Sequence, residues 1–169
     1  TTWLLETLRG PEREAACLVL THASDNRYTS ELVICTHDRR KAAAQKVERL
    51  ADVPAALLER HGAVFIDEGH FFPDLVETTD SWASAGKRVY VAMLKGTFRR
   101  EAFVHAARMF PLADRLVDLA ADCAGCGGKG TASFTQRNSA EEDELVVGGA
   151  DKYAAVCRGC YLLAGPNPP

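Results

Sequence analysis

The sequence predicts an α/β protein with a largely parallel sheet flanked by helices and a small metal-held segment at its C-terminal end. Three observations predict it. Ala16-Cys17-Leu18-Val19-Leu20, Ala63-Val64-Phe65-Ile66 and the run Arg88 to Leu94 are short, apolar segments of the kind that lie buried on both faces of a parallel sheet. Segments with helical spacing separate them, which is the alternation of an α/β fold. Two Cys-x-x-Cys pairs, Cys123/Cys126 and Cys157/Cys160, then stand 30 residues apart near the end of the chain.

The elements follow in order. Thr1 to Arg9 has helical spacing with Trp3, Leu4 and Leu8 on one face, and Gly10-Pro11 ends it. Ala16–Leu20 is a buried strand leading into the polar loop Thr21 to Tyr28, in which Asp25 and Arg27 stand two residues apart. Leu32-Val33-Ile34 is a short strand closed by Thr36 to Arg39. Arg40 to Asp52 is charged and alanine-rich and reads as a solvated helix; Pro54 to Arg60 is a second, stopped by Gly62. The central strand ends in the adjacent acids Asp67 and Glu68. Pro73 to Ala85 is a helix stopped by Gly86, the third strong strand follows, and Arg115 to Ala121 is ambiguous between strand and helix on periodicity, the strand running into the first cysteine pair being the favoured reading.

At 169 residues with 47% apolar and 25% charged residues, the chain can bury one proper core. A net charge of -3 gives no basic surface for a nucleic-acid backbone, so nucleic acid is not an expected partner. No apolar run approaches the roughly 20 residues of a membrane span. No secretory leader is read, and paired cysteines suit metal in a reducing compartment, so the cytoplasm is the expected location.

The chemistry concentrates where ligands bind in such sheets, just beyond the carboxyl ends of the strands. Asp67 and Glu68 stand there; successive residues of an extended chain face opposite ways, so one acid can serve a metal while its neighbour reaches substrate. Phe71 and Phe72 give apolar walls beside them. A bare Asp-Glu pair is more often a helix cap, and the flanking aromatics tell against that here. Four thiolates in two x-x-spaced pairs form a closed tetrahedral zinc site, structural and not catalytic, which fastens a loop whose arms are Thr131–Arg137 and Gly148–Tyr153. His22, His37, His61 and His105 show no ligand spacing, and Cys17 is read as core filler.

Several motifs resemble one family. Phe65-Ile66-Asp67-Glu68-Gly69-His70-Phe71-Phe72-Pro73-Asp74, Leu94-Lys95-Gly96-Thr97-Phe98-Arg99-Arg100 and Gly148 to Tyr161 are similar to segments of the cellular-type (type II) thymidine kinases. Asp25-Asn26-Arg27-Tyr28 and Cys35-Thr36-His37-Asp38-Arg39 match as well, so the resemblance covers Thr1 to about Tyr161.

The resemblance implies a P-loop-type kinase core over residues 1–122, a zinc-held lasso over 123–161 and a tail over 162–169. It implies transfer of the ATP γ-phosphoryl group to the 5′-hydroxyl of thymidine, with deoxyuridine a further acceptor, in nucleotide salvage. By carry-over, Glu68 is the base, Asp67 and Thr1 lie on the Mg2+ and phosphate side, and Asp25 and Arg27 lie near the reacting groups. Phe71, Leu94, Phe98 and Phe103 wall the nucleoside pocket; Thr135, Gly148 and Tyr153 come from the lasso; Cys123, Cys126, Cys157 and Cys160 hold Zn2+. Homo-oligomers, tetramers in the family, and feedback by thymidine triphosphate are implied too.

The departures are specific. The family's Gly-rich phosphate loop is expected directly before Thr1, outside these residues. His70 stands for Gln, Lys95 for Asp, Glu101 for Lys, Ala102 for Pro and Glu144 for an apolar pocket residue. The exchanged signs at Lys95 and Glu101 suggest that these side chains meet. Two further readings stand beside the kinase: a catalytically degenerate kinase-like domain with a structural or regulatory role, one half of a tandem protein, and a zinc-ribbon interaction module.

Overall fold

Four parallel strands carry the first part of the chain: β1 (Cys17–His22), β4 (Gln45–Val47), β5 (Ala63–Ile66) and β6 (Arg88–Val91). They are ordered β4-β1-β5-β6. The computed structural model describes residues 1–8, 17–25, 33–35, 41–138 and 152–164, in two units, Thr1–Leu94 and Lys95–Pro169. In the first unit β5 is central because it is apolar throughout: Ala63, Val64, Phe65 and Ile66 are all fully buried. It pairs in parallel with β1, Leu20 opposite Ile66, and with β6, Val91 opposite Ile66. The phenyl ring of Phe65 stacks on Tyr90 at 4.5 Å.

Helices α1 (Thr2–Leu8), α2 (Ala55–Glu59) and α3 (Leu75–Ser84) flank the sheet. As the spacing predicts, Leu4 of α1 enters the core with Trp3 and Leu8 against it, beside Val19, Ala44 and Phe65. Leu75, Val76, Thr79 and Trp82 bury one face of α3. A two-stranded antiparallel ribbon, β2 (Val33–Cys35) and β3 (Lys41–Ala43), precedes β4. Among the described residues no helix is long and apolar enough to cross a membrane.

Two expectations are corrected. Arg40 to Asp52 is not a helix: its described residues form β3, β4 and a short 3-10 turn, Leu50–Asp52. Helix propensity there amounts to a few tenths of a kcal/mol per residue, about, and loses to tertiary pairing. Gln45, Lys46 and Val47 bond along the outer edge of β1, Ala44 is buried, and the Lys46 ammonium donates to the Asp25 carbonyl at 2.8 Å. Arg115 to Ala121 is not a strand either. Only Ala121 makes a bridge, to Ala132, while Leu116, Val117 and Leu119 stay exposed, so the run is apolar without a ladder.

The second unit contains α4 (Val104–Met109), the antiparallel pair β7 (Phe134–Arg137) and β8 (Tyr153–Val156), and α5 (Arg158–Ala164). Its core is Cys123, Ala132, Val156 and Tyr161, with Phe134, Cys157 and Cys160 against them.

Candidate active site

The strand order creates a crevice. From β1 the chain moves outward to β4, whereas from β5 it moves the other way to β6, so the loops after these adjacent strands diverge. In open α/β sheets that divergence is where ligands bind. Ala23 to Asp25 follow β1 there, and Asp67 and Glu68 follow β5.

Asp67 is 3% exposed, its backbone N–H held by the Leu20 carbonyl at 2.9 Å. The Thr1 hydroxyl donates to its Oδ2 at 2.7 Å, so the two groups expected on the metal and phosphate side are in contact. Glu68 has φ 53° and ψ 41°, a left-handed conformation that costs a non-glycine residue about 1–2 kcal/mol. Strain of this kind concentrates at functional sites. Gly69 must be glycine: a Cβ there would lie 2.6 Å from the Val91 side chain, because its N–H reaches the Ala92 carbonyl at 2.9 Å.

His70 is buried, with Nε2 3.6 Å from Glu68 Oε2 and Nδ1 accepting from the Leu94 N–H at 3.3 Å. Phe71 lies against His70 and His22, at ring distances of 4.3 and 5.8 Å, whereas Phe72 turns fully into the core. Of the two expected walls, only Phe71 therefore remains partly exposed. Leu94 is exposed at the end of the β6 segment. His22 hydrogen-bonds Ser24 at 2.7 Å, and burial pushes its pKa below the ordinary value for histidine. A cleft of about 470 Å³ beside it is lined by His22, Ala23, Ser24, Glu48, Arg49 and Pro73, and neither Asp67 nor Glu68 borders it.

In the second unit, Phe98 is buried and Arg137 lies over its ring, 3.8 Å from the centroid. Arg137 also donates to the Tyr153 hydroxyl at 2.7 Å, across a β7–β8 pair in which these two residues are partners. The Tyr161 hydroxyl donates to the Phe98 carbonyl at 2.7 Å. Thr135 lies on β7, and Phe103 precedes α4 as its N-cap. Arg27, Gly148 and Glu144 lie outside the described residues.

The four cysteine sulfurs lie within 4.8 Å of one another, Cys126 and Cys157 at 3.9 Å. Sulfurs about 2.3 Å from one tetrahedral ion sit roughly 3.8 Å apart, so the cluster fits a metal ion. The Cys157 N–H donates to Cys123 Sγ at 3.2 Å, and backbone donors hold that thiol down to about 6. Hydrogen bonds to neighbouring sulfurs push the Cys160 thiol up to about 12.

Lys95 does not meet Glu101. Its ammonium is paired with Asp118, at 2.8 and 3.0 Å, across a sequence separation that gave no pattern to read. Sequence reasoning also missed Asp74, which caps the 3-10 turn through the N–H groups of Leu50 and Ala51 at 3.2 and 2.9 Å. It missed Arg137 as well, where a buried guanidinium between two aromatic residues leaves no local signature.

Comparison with known proteins agrees with this geometry. A family model described as thymidine kinase matches residues 1–161. The chain is 43% identical over 153 residues to a cytosolic thymidine kinase of Homo sapiens, covering 90% of this chain and 63% of that protein. It is 44% identical to one of Gallus gallus, covering 89% and 66%, and 41% identical to a thymidine kinase of Monkeypox virus, covering 86% and 80%. The chain thus spans a little under two thirds of the length of the cytosolic relatives.

Proposed function

The chain belongs to the thymidine kinase family, and from that premise we propose that it transfers the γ-phosphoryl group of ATP to the 5′-hydroxyl of thymidine. The observation that carries this reading is the placement of Thr1 on Asp67, with Glu68 next in sequence, at the mouth of the β1–β5 crevice. A hydroxyl and an acid so paired are the groups that hold magnesium in P-loop kinases.

In this reading the 5′-oxygen attacks the γ-phosphorus, the bond to the β–γ bridging oxygen breaks, ADP leaves, and the hydroxyl proton passes to the Glu68 carboxylate. Thr1 and Asp67 would hold Mg2+, which when bound neutralises charge on the phosphates. Asp25 and Arg27 are assigned to the reacting hydroxyl and phosphate. Phe71, Leu94, Phe98 and Phe103 are assigned to the walls of the nucleoside pocket. Thr135, Gly148 and Tyr153 serve it from a lasso that Zn2+ fastens through Cys123, Cys126, Cys157 and Cys160. Exclusion of water by such a loop strengthens every charge interaction inside. Deoxyuridine shares the polar edge of thymidine and is a second acceptor. The reading extends to nucleotide salvage in the cytoplasm by a homo-oligomer, in keeping with the cytosolic thymidine kinases that the chain resembles.

Glu68→Gln in the full-length protein tests it. The amide keeps the shape and cannot take the proton, so thymidine binding persists and turnover falls about 10²–10⁴-fold. A wild-type protein that binds thymidine and transfers no phosphate would instead be a degenerate member with a regulatory or structural role.

A further inference from the structure

We propose that the Thr21 hydroxyl is a positioning group for the divalent cation, holding one of the waters that the cation keeps when Thr1 and Asp67 bind it. The inference rests on the reading of Thr1 and Asp67 as the magnesium side. It starts from an unmet hydrogen bond. Thr21 is fully buried, and its Oγ1 finds no hydrogen-bond partner among the described residues. A buried hydroxyl in that position costs stability, so it calls for a water, an ion or a ligand. Packing gives no reason for it. Leu18, Val19 and Leu20 precede it as buried hydrocarbon, and a valine would fill the same volume without the penalty.

The strand register says where the hydroxyl lies. β1 and β5 run in parallel with Leu20 opposite Ile66, and the Asp67 N–H continues that ladder to the Leu20 carbonyl at 2.9 Å. Side chains alternate along each strand. Cys17 and Val19 of β1 share a core with Ala63 and Phe65 of β5 and with Leu4 of α1. Two residues further on, that same face carries Thr21 and Asp67 as neighbours. The Thr1 hydroxyl, just before α1, meets Asp67 from this side. On its other flank Thr21 stands opposite Lys46 of β4, whose ammonium donates to the Asp25 carbonyl. Lysine, hydroxyl and acid thus form one row at the carboxyl ends of three strands.

Magnesium dehydrates reluctantly and is held by one or two carboxylates while it keeps several waters. A water on an ion at Asp67 has protons to give, and the hydroxyl oxygen next along the row is an acceptor for one. The hydrogen bond unmet in the cation-free protein is made when the hydrated ion arrives. Its cost therefore falls on the free state and favours binding.

The test uses the full-length protein with Thr21→Val and Thr21→Ser. Mn2+ together with a non-hydrolysable ATP analogue is the probe, and electron paramagnetic resonance reads its binding. The valine variant should bind the ion roughly 10-fold more weakly, the scale of losing a group that supports a metal's own ligands. Its affinity for the analogue in EDTA should be unchanged, and its urea midpoint should be at or above wild type. The serine variant keeps the hydroxyl and should bind Mn2+ nearly as tightly as wild type. Unchanged Mn2+ affinity in Thr21→Val, or an equal loss in Thr21→Ser, overturns the proposal. A lower urea midpoint in Thr21→Val also overturns it, because the hydroxyl would then have a structural partner. If the wild-type protein binds Mn2+ and phosphorylates no thymidine, the kinase reading fails, and the affinity ratio still decides the role of Thr21. A wild-type protein that binds no Mn2+ overturns the proposal together with the magnesium assignment.

Discussion

The two units hold themselves together by different means. In Thr1–Leu94, Leu20, Phe65, Ile66, Phe72 and Leu75 are completely buried around a parallel sheet, and removal of apolar surface from water accounts for the order. In the second unit the corresponding centre is a cysteine, an alanine, a valine and a tyrosine, with a buried arginine laid over Phe98. That cluster carries less apolar surface than the sheet core, and a smaller core offsets less of the entropy of ordering a chain. A metal ion held by the four clustered cysteines, as proposed above, would do with a cation over an aromatic face what a larger core does elsewhere. The difference teaches which perturbation each region notices.

The largest expected effect separates them outright. Stripping metal with a strong chelator, or Cys126→Ser, should abolish amide protection in β7 and β8, since structural zinc contributes on the order of 10 kcal/mol to folding in small sites. Protection in β1 and β5 should persist, and hydrogen exchange measures both; survival of β7–β8 protection without metal would show that the thiolates do not hold this unit. Phe65→Ala is the converse perturbation. Its ring is fully buried and stacked on Tyr90, so the loss should be about 3–5 kcal/mol, read in urea unfolding followed by sheet-specific probes. Zinc content at denaturant concentrations below that transition should match wild type.

The smallest effect sharpens the comparison at the surface. Lys95 and Asp118 are 51% and 75% exposed, so their pairing should contribute only about 0.2–1 kcal/mol and fade with salt. A double-mutant cycle through Lys95→Ala and Asp118→Ala measures it, and a cycle pairing Lys95 with Glu101 should give zero coupling. A non-zero Lys95–Glu101 term would restore the contact that the charge exchange suggested.

What was legible in the sequence follows the same physics. Ala63–Ile66, Leu75–Ser84 and the cysteine pairs were readable because each carries its cause locally: unbroken burial, a 3.6-residue stripe, a two-residue ligand gap. Asp67 and Thr1 were assigned by position in a resemblance, and the structure shows only that their side chains hydrogen-bond. Gln45–Val47 was misread because its fate depends on the vacant edge of β1, which no window of neighbours contains. Leu116–Leu119 was misread for the opposite reason, an apolar pattern that finds no pairing partner among the described residues. Arg137 and Asp118 act across long sequence separations, where residue type alone names no partner.

The left-handed backbone at Glu68 has a consequence for heredity and not only for chemistry. Most harmful substitutions in proteins reveal themselves by lowering abundance, because chaperones and proteases remove what unfolds. A glycine at position 68 would do the reverse, relieving about 1 kcal/mol of backbone strain while deleting the carboxylate. Cells carrying Glu68→Gly should accumulate the protein at or above the wild-type level, as quantitative immunoblotting would show. With Glu68 as the base proposed above, a lesion of that kind would be invisible to surveillance and would leave a well-folded protein without phosphoryl transfer in place.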